Sequence, residues 1–212
     1  METLKEIAAS LERGEDDRVH ELVEQALAQG AAPGDVLNLG LIAGMNVVGE
    51  QFRQREIFLP DVLLAARAMY AGLDLLKPHL AREGVPTAGT VVIGSVKGDL
   101  HDIGKNLVGI MLKGAGFEVV DLGNDVPPGR FVDTAVASGA SVIGMSALLT
   151  TTMPVMKEVV ELVRARGLSD RVRIIVGGAP LSEAFARDIG ADAYAFDAAS
   201  AVDRVRALVA AR

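Results

Sequence analysis

One short segment of the chain combines side chains that can hold a metal. It reads Gly98-Asp99-Leu100-His101-Asp102-Ile103-Gly104, so an imidazole follows a carboxylate by two residues between flanking glycines. A metal-bound histidine usually donates its second ring N–H to a carboxylate, which selects its tautomer and strengthens it as a ligand. We therefore predict that His101 ligates a metal and that Asp99 orients its ring. The alternative is an ordinary loop histidine, with Asp99 or Asp102 serving as a helix N-cap.

The elements around this segment predict a parallel α/β sheet. An apolar run at 90–96 is typical of a buried strand, and the apolar spacing of 103–112 is typical of a helix. Further strand-like runs, each followed by a helical stretch, lie at 117–122, 141–148, 172–176 and 191–196. Five strand–helix units with right-handed crossovers make a flavodoxin-like (Rossmann-like) five-stranded parallel sheet that is doubly wound.

Ligands bind such sheets outside the carboxyl ends of the strands, where the strand order reverses. A flavodoxin-like order places the first and third strands side by side, so His101 and Ser146 should flank one crevice. The polar and glycine-rich segments of this chain do fall at predicted strand ends, at 98–104, 146–152 and 177–178. The sequence therefore predicts one ligand site built from all three segments.

Each segment also has a purely structural interpretation. Gly104 can be a small residue in helix packing, and Gly177 with Gly178 can form a tight turn. One of the three threonines at 150–152 can cap the helix predicted to begin at Pro154. These alternatives stay open at the level of single motifs.

The first part of the chain predicts a helical bundle. Apolar residues recur at helical spacing in four stretches, of which the third covers about 33–52 and the fourth begins near residue 60. We predict a four-helix domain at 1–84, a linker at 85–89 and an α/β domain at 90–212.

Composition excludes several classes of function. The net charge of −7 and the pI near 5.0, with scattered basic residues, argue against a nucleic-acid surface. The chain has no cysteine, so it can form neither a disulfide nor a thiolate metal site. The first residues lack a signal peptide's pattern and no apolar run is long enough to span a membrane, which predicts a cytoplasmic protein.

Taken together, the sheet motifs resemble a known cofactor signature. The series Asp99-x-His101-x-x-Gly104, Ser146-x-Leu148 and Gly177-Gly178 is similar to the cobalamin-binding signature of the methionine synthase family. The resemblance implies that cobalamin binds with its nucleotide tail in a channel of the sheet domain and that His101 is the lower axial cobalt ligand. It implies that Asp99 and the Thr152 hydroxyl, where the best-known members carry serine, complete a proton relay. The implied cofactor-binding residues of this domain are Gly98, Asp99, Leu100, His101, Asp102, Gly104, Ser146, Leu148, Thr150, Thr152, Gly177, Gly178 and Ala198.

The resemblance extends to the helical domain through residues 44–52 and 58–62. It implies that this domain caps the upper face of cobalt and that Phe52, Leu59 and Val62 shield a bound methyl group. The alternative is that these three side chains belong to the bundle core. Because a cap over the reactive face must move aside for a partner, the linker at 85–89 is the implied hinge.

The implied function is that of a corrinoid methyl carrier, similar to the cap and cobalamin-binding domains of methionine synthase. Such a carrier cycles between cob(I)alamin and methylcob(III)alamin, taking a methyl group from a substrate-specific methyltransferase. An acceptor methyltransferase, using tetrahydrofolate or a thiol, receives it, and a reductive activator restores the corrinoid. The chain itself would be a non-catalytic subunit. The alternatives are the small subunit of an adenosylcobalamin-dependent mutase and a cobalamin-dependent sensor.

Overall fold

The computed structural model describes residues 2–83 and 87–211 and divides the chain into two compact units. The first unit is Met1–Thr87 with Gly114–Gly116, and the second is Ala88–Lys113 with Phe117–Arg212. Three residues of the predicted helical domain and linker, 84–86, lie outside the described residues. Within the described ranges, none of the helices combines the length and apolar character needed to cross a membrane.

The first unit is a bundle of four helical rods, as its sequence pattern predicts. Each rod buries the apolar side chains that recur at helical spacing, among them Ile7, Leu11, Val23 and Leu76, which are fully buried. The rods are α1 (Glu2–Glu12), α2 (Asp16–Ala28), a third rod of α3 (Pro33–Asp35), a π-helical segment (Val36–Ile42) and α4 (Ala43–Arg53), and finally α5 (Leu59–Glu83).

The third rod is not the single α-helix that its apolar spacing predicts. The π-helical segment interrupts it, and the rod is closely packed against α1 there. A Cβ atom at Gly40 would lie 3.0 Å from Cγ2 of Ile7, and one at Gly44 would lie 2.7 Å from the carbonyl oxygen of Ala8. Apolar spacing over seven residues does not distinguish an α-helix from a π-helix, so the sequence could not predict the π-helical segment. Its close packing against α1 is likewise visible only in the tertiary structure.

The second unit is a five-stranded parallel sheet in the order β2-β1-β3-β4-β5, which confirms the predicted flavodoxin-like fold. The first and third strands are neighbours, as that order requires. Its strands are β1 (Thr90–Ser95), β2 (Glu118–Asp121), β3 (Val142–Ser146), β4 (Arg173–Gly177) and β5 (Ala193–Ala195), and its helices are α6 (Ile103–Gly114), α7 (Pro128–Ser138), α8 (Pro154–Ala165), α9 (Glu183–Ile189) and α10 (Ala198–Ala210).

The strands are short but strongly buried, and their register aligns the site. The central residues Val92 and Ile143 are completely buried and belong to a cluster that includes Phe131 of α7 and Met156 of α8. The last residues of four strands pair in one row, because Ser95 aligns with Ser146, Ser146 with Gly177 and Gly177 with Ala195. This row forms the carboxyl edge of the sheet.

Candidate functional site

The site is centred on a carboxylate–imidazole pair in the loop between β1 and α6. The Nδ1 atom of His101 lies 2.8 Å from Oδ1 of Asp99. The Asp99 side chain is completely buried, whereas 51% of the His101 side chain is exposed. The loop therefore holds one edge of the imidazole ring and leaves much of the ring accessible.

The Asp99 carboxylate accepts five hydrogen bonds. Oδ1 receives the ring and backbone N–H groups of His101, the latter at 3.1 Å. Oδ2 receives the backbone N–H groups of Leu148 and Leu149, at 2.7 and 3.2 Å, and the hydroxyl of Thr152 at 2.8 Å. Burial alone would raise the pKa of Asp99, but the bonds from Leu148, His101 and Thr152 outweigh it and hold the pKa far below its ordinary value. Asp99 is therefore a carboxylate at neutral pH.

An ionised Asp99 determines the tautomer of His101. A carboxylate has no proton to donate, so the Nδ1 atom must carry the hydrogen of the 2.8 Å bond. In a neutral imidazole the lone pair then lies on Nε2, the atom through which the ring can bind a metal. Because all of its lone-pair directions are engaged, Asp99 can orient the His101 ring but has no lone pair left for a metal.

Thr152 acts on Asp99 and does not cap the following helix. Helix α8 has Met153 at its N-cap and no side-chain cap bond, so the capping alternative for this threonine is wrong. Its hydroxyl oxygen lies 2.8 Å from Asp99 and 2.9 Å from the carbonyl oxygen of Leu149. The single hydroxyl proton goes to the carboxylate, because an ionised acceptor makes the stronger hydrogen bond.

Two further residues that the sequence analysis missed hold the loop. The buried Ser95 hydroxyl donates to the carbonyl oxygen of His101 at 2.6 Å. The carboxylate of Asp125 accepts the backbone N–H of Gly98 at 2.7 Å. Both lie at or just beyond strand ends of the same edge, so the rule for parallel sheets, applied to every strand end, could have found them.

The rest of the edge is shaped by residues with little or no side chain. A Cβ atom at Gly177 would lie 3.1 Å from the carbonyl oxygen of Ala195. Gly178 has φ 138° and a Cβ atom there would lie 1.9 Å from the carbonyl oxygen of Ala147, so only glycine fits. A Cβ atom at Gly104, by contrast, would meet nothing within 4 Å. Neighbouring backbone therefore favours glycine at 177 and requires it at 178, whereas the space at Gly104 is open.

Exposed apolar side chains surround this edge. Leu100 and Ile103 flank His101 and are 69% and 73% exposed, and Phe196, just beyond β5, is 75% exposed. Leu148 and Leu149 of the loop after β3 also present large exposed surfaces. The site therefore combines one imidazole nitrogen able to bind a metal with an apolar rim, which suits a large, mostly apolar ligand.

The other predicted site residues have different surroundings. Thr150 is exposed in the loop after β3, and Ala198 is buried at the start of α10, where Asp197 and Ser200 form a capping box. In the helical unit, Phe52 and Leu59 are partly buried and Val62 is completely buried. Complete burial of Val62 agrees with its position on the apolar stripe of α5.

Comparisons with known proteins bear directly on this edge. Two family models, each described as a B12 binding domain, match residues 89–206 and 3–77. Dimethylamine corrinoid protein 1 of Methanosarcina acetivorans is 44% identical over 99% of this chain and 98% of its own length. The chain belongs to the B12-binding corrinoid proteins. Trimethylamine corrinoid protein 1 of the same organism is 44% identical over 92% of this corrinoid protein and 91% of its own length.

Solved structures resemble this corrinoid protein over nearly all of its length. A methanol:cobalamin methyltransferase complex from Methanosarcina barkeri matches with TM-score 0.89 and 33% identity, covering 100% of this chain and 81% of that chain. A cobalamin-binding protein from Desulfitobacterium hafniense matches with TM-score 0.80 and 32% identity, covering 97% and 98%. The predicted family and the predicted cofactor, cobalamin, are confirmed, and the chain is a cobalamin-binding methyl carrier of a methyltransferase system.

The residues of the edge fit cobalamin in this corrinoid protein. A corrin ring supplies four nitrogen ligands to its metal, so a single imidazole nitrogen from the protein is the donor that it still lacks. His101 is able to provide such a nitrogen, whereas Asp99 is fully occupied by other hydrogen bonds. The open space at Gly104 and the exposed Leu100 and Ile103 leave room and apolar surface for a macrocycle.

Proposed function

We propose that this corrinoid protein holds cobalamin with Nε2 of His101 as the lower axial ligand while it carries a methyl group between two methyltransferases. The observation that supports this ligation is the buried, ionised Asp99, whose Oδ1 atom selects the Nδ1–H tautomer of His101. The carboxylate also makes the imidazole a stronger electron donor. The protein would thus tune the cobalt ion through the imidazole ring of His101.

Bound cobalamin supplies a cobalt ion that accepts and releases the methyl group. The chain's own residues position that ion. Ser95, Asp99 and Asp125 hold the loop and its imidazole ring, and Ser146, Gly177 and Gly178 lie at the carboxyl edge and would hold the nucleotide tail. We propose that Phe52 and Leu59 of the helical domain keep water from the methyl group, because both are apolar and only partly buried.

The partners follow from the family. A substrate-specific methyltransferase donates the methyl group, and we propose an acceptor methyltransferase with a tetrahydrofolate or thiol acceptor and a reductive activator. The relatives belong to dimethylamine and trimethylamine systems and to a methanol:cobalamin complex, at 44%, 44% and 33% identity. Assays of methyl transfer to the cob(I)alamin form with each of these donors and its methyltransferase identify the substrate. The cytoplasmic location stays a prediction.

His101→Ala tests the ligation directly. In the cob(II)alamin form of the parent, the electron paramagnetic resonance spectrum should show superhyperfine splitting from one histidine nitrogen, and ¹⁵N-labelled histidine should change that splitting. The variant should lose the histidine signal, because the loop then offers no other ring nitrogen. His79→Ala, in α5, is the control and should keep it. A His101→Ala spectrum identical to that of the parent contradicts the assignment.

Gly104→Leu tests whether the open space in front of α6 belongs to the cofactor. Gly104 is the second residue of α6, and a Cβ atom added to it would meet nothing within 4 Å, so the apo-protein should fold with unfolding free energy unchanged or raised by up to about 1 kcal/mol. Cobalamin affinity should fall by about 1–3 kcal/mol, or roughly tenfold to a hundredfold, because the new side chain overlaps the ligand.

Gly129→Leu is the matched control for this prediction. Gly129 is the second residue of α7, and a Cβ atom there would approach only the carboxylate of Asp133, at 3.9 Å. Both variants should gain similar helix propensity, and only Gly104→Leu should lose cobalamin in a calorimetric titration. Equal affinities in the two variants would place the cofactor away from α6.

A further inference from the structure

A buried lysine lies one helical turn beyond His101. Lys105, in the first turn of α6, has a side chain only 3% exposed. Its Nζ atom donates to Oδ1 and Oδ2 of Asp121, at 2.7 and 2.6 Å, and to Oδ1 of Asn106 at 2.6 Å. Burying an ammonium group is costly unless a partner compensates for the lost hydration, and an apolar side chain of similar volume often stabilises a fold as well. We therefore expect the ion pair of Lys105 and Asp121 to have a role besides stabilising the fold.

Asp121 connects this lysine to a turn after β2. It is the last residue of that strand, and its Oδ1 atom also accepts the backbone N–H of Gly123 at 2.9 Å. The turn contains two residues with positive φ, Gly123 at 82° and Asp125 at 52°. Aspartate adopts the left-handed conformation more readily than most residues with a side chain, but still at some cost, which the contacts of Asp125 offset. The ion pair of Lys105 and Asp121 anchors the start of this turn.

The same turn holds the backbone of the His101 loop at three points. Asp125 accepts the N–H of Gly98 at 2.7 Å and donates its own N–H to the carbonyl oxygen of Asp99 at 3.0 Å. The side-chain amide of Asn124 donates to the carbonyl oxygen of Leu100 at 3.4 Å. The backbone of Asp99 is thus fixed from the β2 side, whereas its carboxylate is fixed from the β3 side.

We propose that Lys105 and Asp121 form a positioning pair, which sets the orientation of the His101 ring by holding residues 123–125 against the His101 loop. The proposal rests on the ligating role of His101 put forward above. Without the pair, residues 123–125 can move away from the His101 loop. The backbone of Asp99 then shifts, and its Oδ1 atom no longer faces Nδ1 of His101. In this proposal both residues act through Asp125 and Asp99.

Lys105→Met tests the pair, since methionine fills the buried space of the lysine side chain. The Asp121 carboxylate, which is 39% exposed, then keeps only solvent and the N–H of Gly123 as partners. In the cobalamin-free protein, two-bond ¹H–¹⁵N correlation spectra report the tautomer of His101, and the Nδ1–H fraction should fall. In the cob(II)alamin form, the equilibrium constant for histidine ligation should fall about tenfold, the effect typical of groups that orient a metal ligand. Asp121→Asn, which keeps an oxygen for Gly123, should shift both readings in the same direction.

Two controls separate positioning from general destabilisation. Lys157→Met and Asp133→Asn each break an exposed ion pair of the same unit, Lys157 with Glu161 and Asp133 with Arg166, and should leave both readings unchanged. A parent-like tautomer ratio and ligation constant in Lys105→Met overturn the proposal, even if its melting temperature falls. If the parent itself lacks histidine ligation, the ligation proposal fails, while the cobalamin-free tautomer measurement still decides the positioning role.

Discussion

Asp99→Asn should strongly weaken histidine ligation of cobalt while leaving the imidazole in place. Three donors face Oδ2 of Asp99, namely the N–H groups of Leu148 and Leu149 and the hydroxyl of Thr152, so the asparagine oxygen must turn towards them. Its NH₂ group then faces Nδ1 of His101 and needs an acceptor there. The histidine is driven to the Nε2–H tautomer, which has no lone pair on the ligating nitrogen.

Both histidine ligation and the unfolding free energy should fall in this variant. Histidine ligation in the cob(II)alamin form should weaken about tenfold to a hundredfold, as measured by nitrogen superhyperfine splitting. The unfolding free energy at pH 7 should fall by about 1–3 kcal/mol, because the new NH₂ group also faces the backbone N–H of His101 and leaves buried donors unsatisfied. Asp133→Asn, in α7 of the same unit, replaces an exposed carboxylate and is the control. It should leave histidine ligation unchanged and alter the unfolding free energy by less than about 0.5 kcal/mol. Parent-like ligation in Asp99→Asn would contradict tautomer selection by this carboxylate.

The pH dependence of the unfolding free energy gives a second test of the role of the Asp99 carboxylate. Its pKa in the folded protein lies below the ordinary value near 4, so its stabilising effect is complete above that value and is lost as the pH falls through the lower pKa of the folded state. The stability difference between parent and Asp99→Asn should therefore be full at pH 7 and smaller by about 1 kcal/mol at pH 3. Urea unfolding at both pH values measures this change, and a constant difference would mean that folding does not lower the pKa of Asp99.

Gly178→Ala should destabilise the sheet domain more than any other alanine substitution of a loop glycine near the site. Its Cβ atom would lie 1.9 Å from the carbonyl oxygen of Ala147, and its φ of 138° is strained for any residue with a side chain. We expect the unfolding free energy to fall by about 2–4 kcal/mol. The displaced backbone continues into Leu148 and Leu149, whose N–H groups bind Asp99, so histidine ligation should weaken as well.

Gly167→Ala separates backbone strain from steric overlap as causes of the stability lost in Gly178→Ala. Gly167 also has a positive φ, 66°, but a Cβ atom there would meet nothing within 4 Å. In this control the unfolding free energy should fall by only about 1–2 kcal/mol, the cost of the left-handed backbone conformation, and histidine ligation should remain intact. If Gly178→Ala costs no more than Gly167→Ala in urea unfolding, the backbone beside Ala147 moves freely and does not fix the position of Asp99.

Much of the architecture was accessible from the sequence, because hydrophobic periodicity reports which face of an element is buried. The alternation of strands and helices predicted the parallel sheet and its order, and the helical spacing of residues 4–80 predicted the bundle. The same pattern could not predict the π-helical segment Val36–Ile42, which is seen where the third rod packs closely against α1. Strand lengths also differed, as β5 covers only Ala193–Ala195.

Part of the site could also be predicted from the sequence. His101 and Asp99 stand two residues apart, so their pairing needs only a local turn, and the rule for parallel sheets brought Ser146, Gly177 and Gly178 to the same edge. Thr152 was ambiguous between a cap and a partner of Asp99, since a hydroxyl group serves both roles. Only its 2.8 Å distance to the carboxylate decides between them.

What the sequence determined by itself is the pair of side chains that can ligate and orient, Asp99 and His101, and the sheet edge that presents them. What only the tertiary structure decided is the ionisation of Asp99, and with it the tautomer of His101. That ionisation depends on the N–H groups of Leu148 and Leu149, which folding brings to the carboxylate from a distant loop. Every residue except proline carries a backbone N–H, so such a donor leaves no signature in the identity of the residue that supplies it.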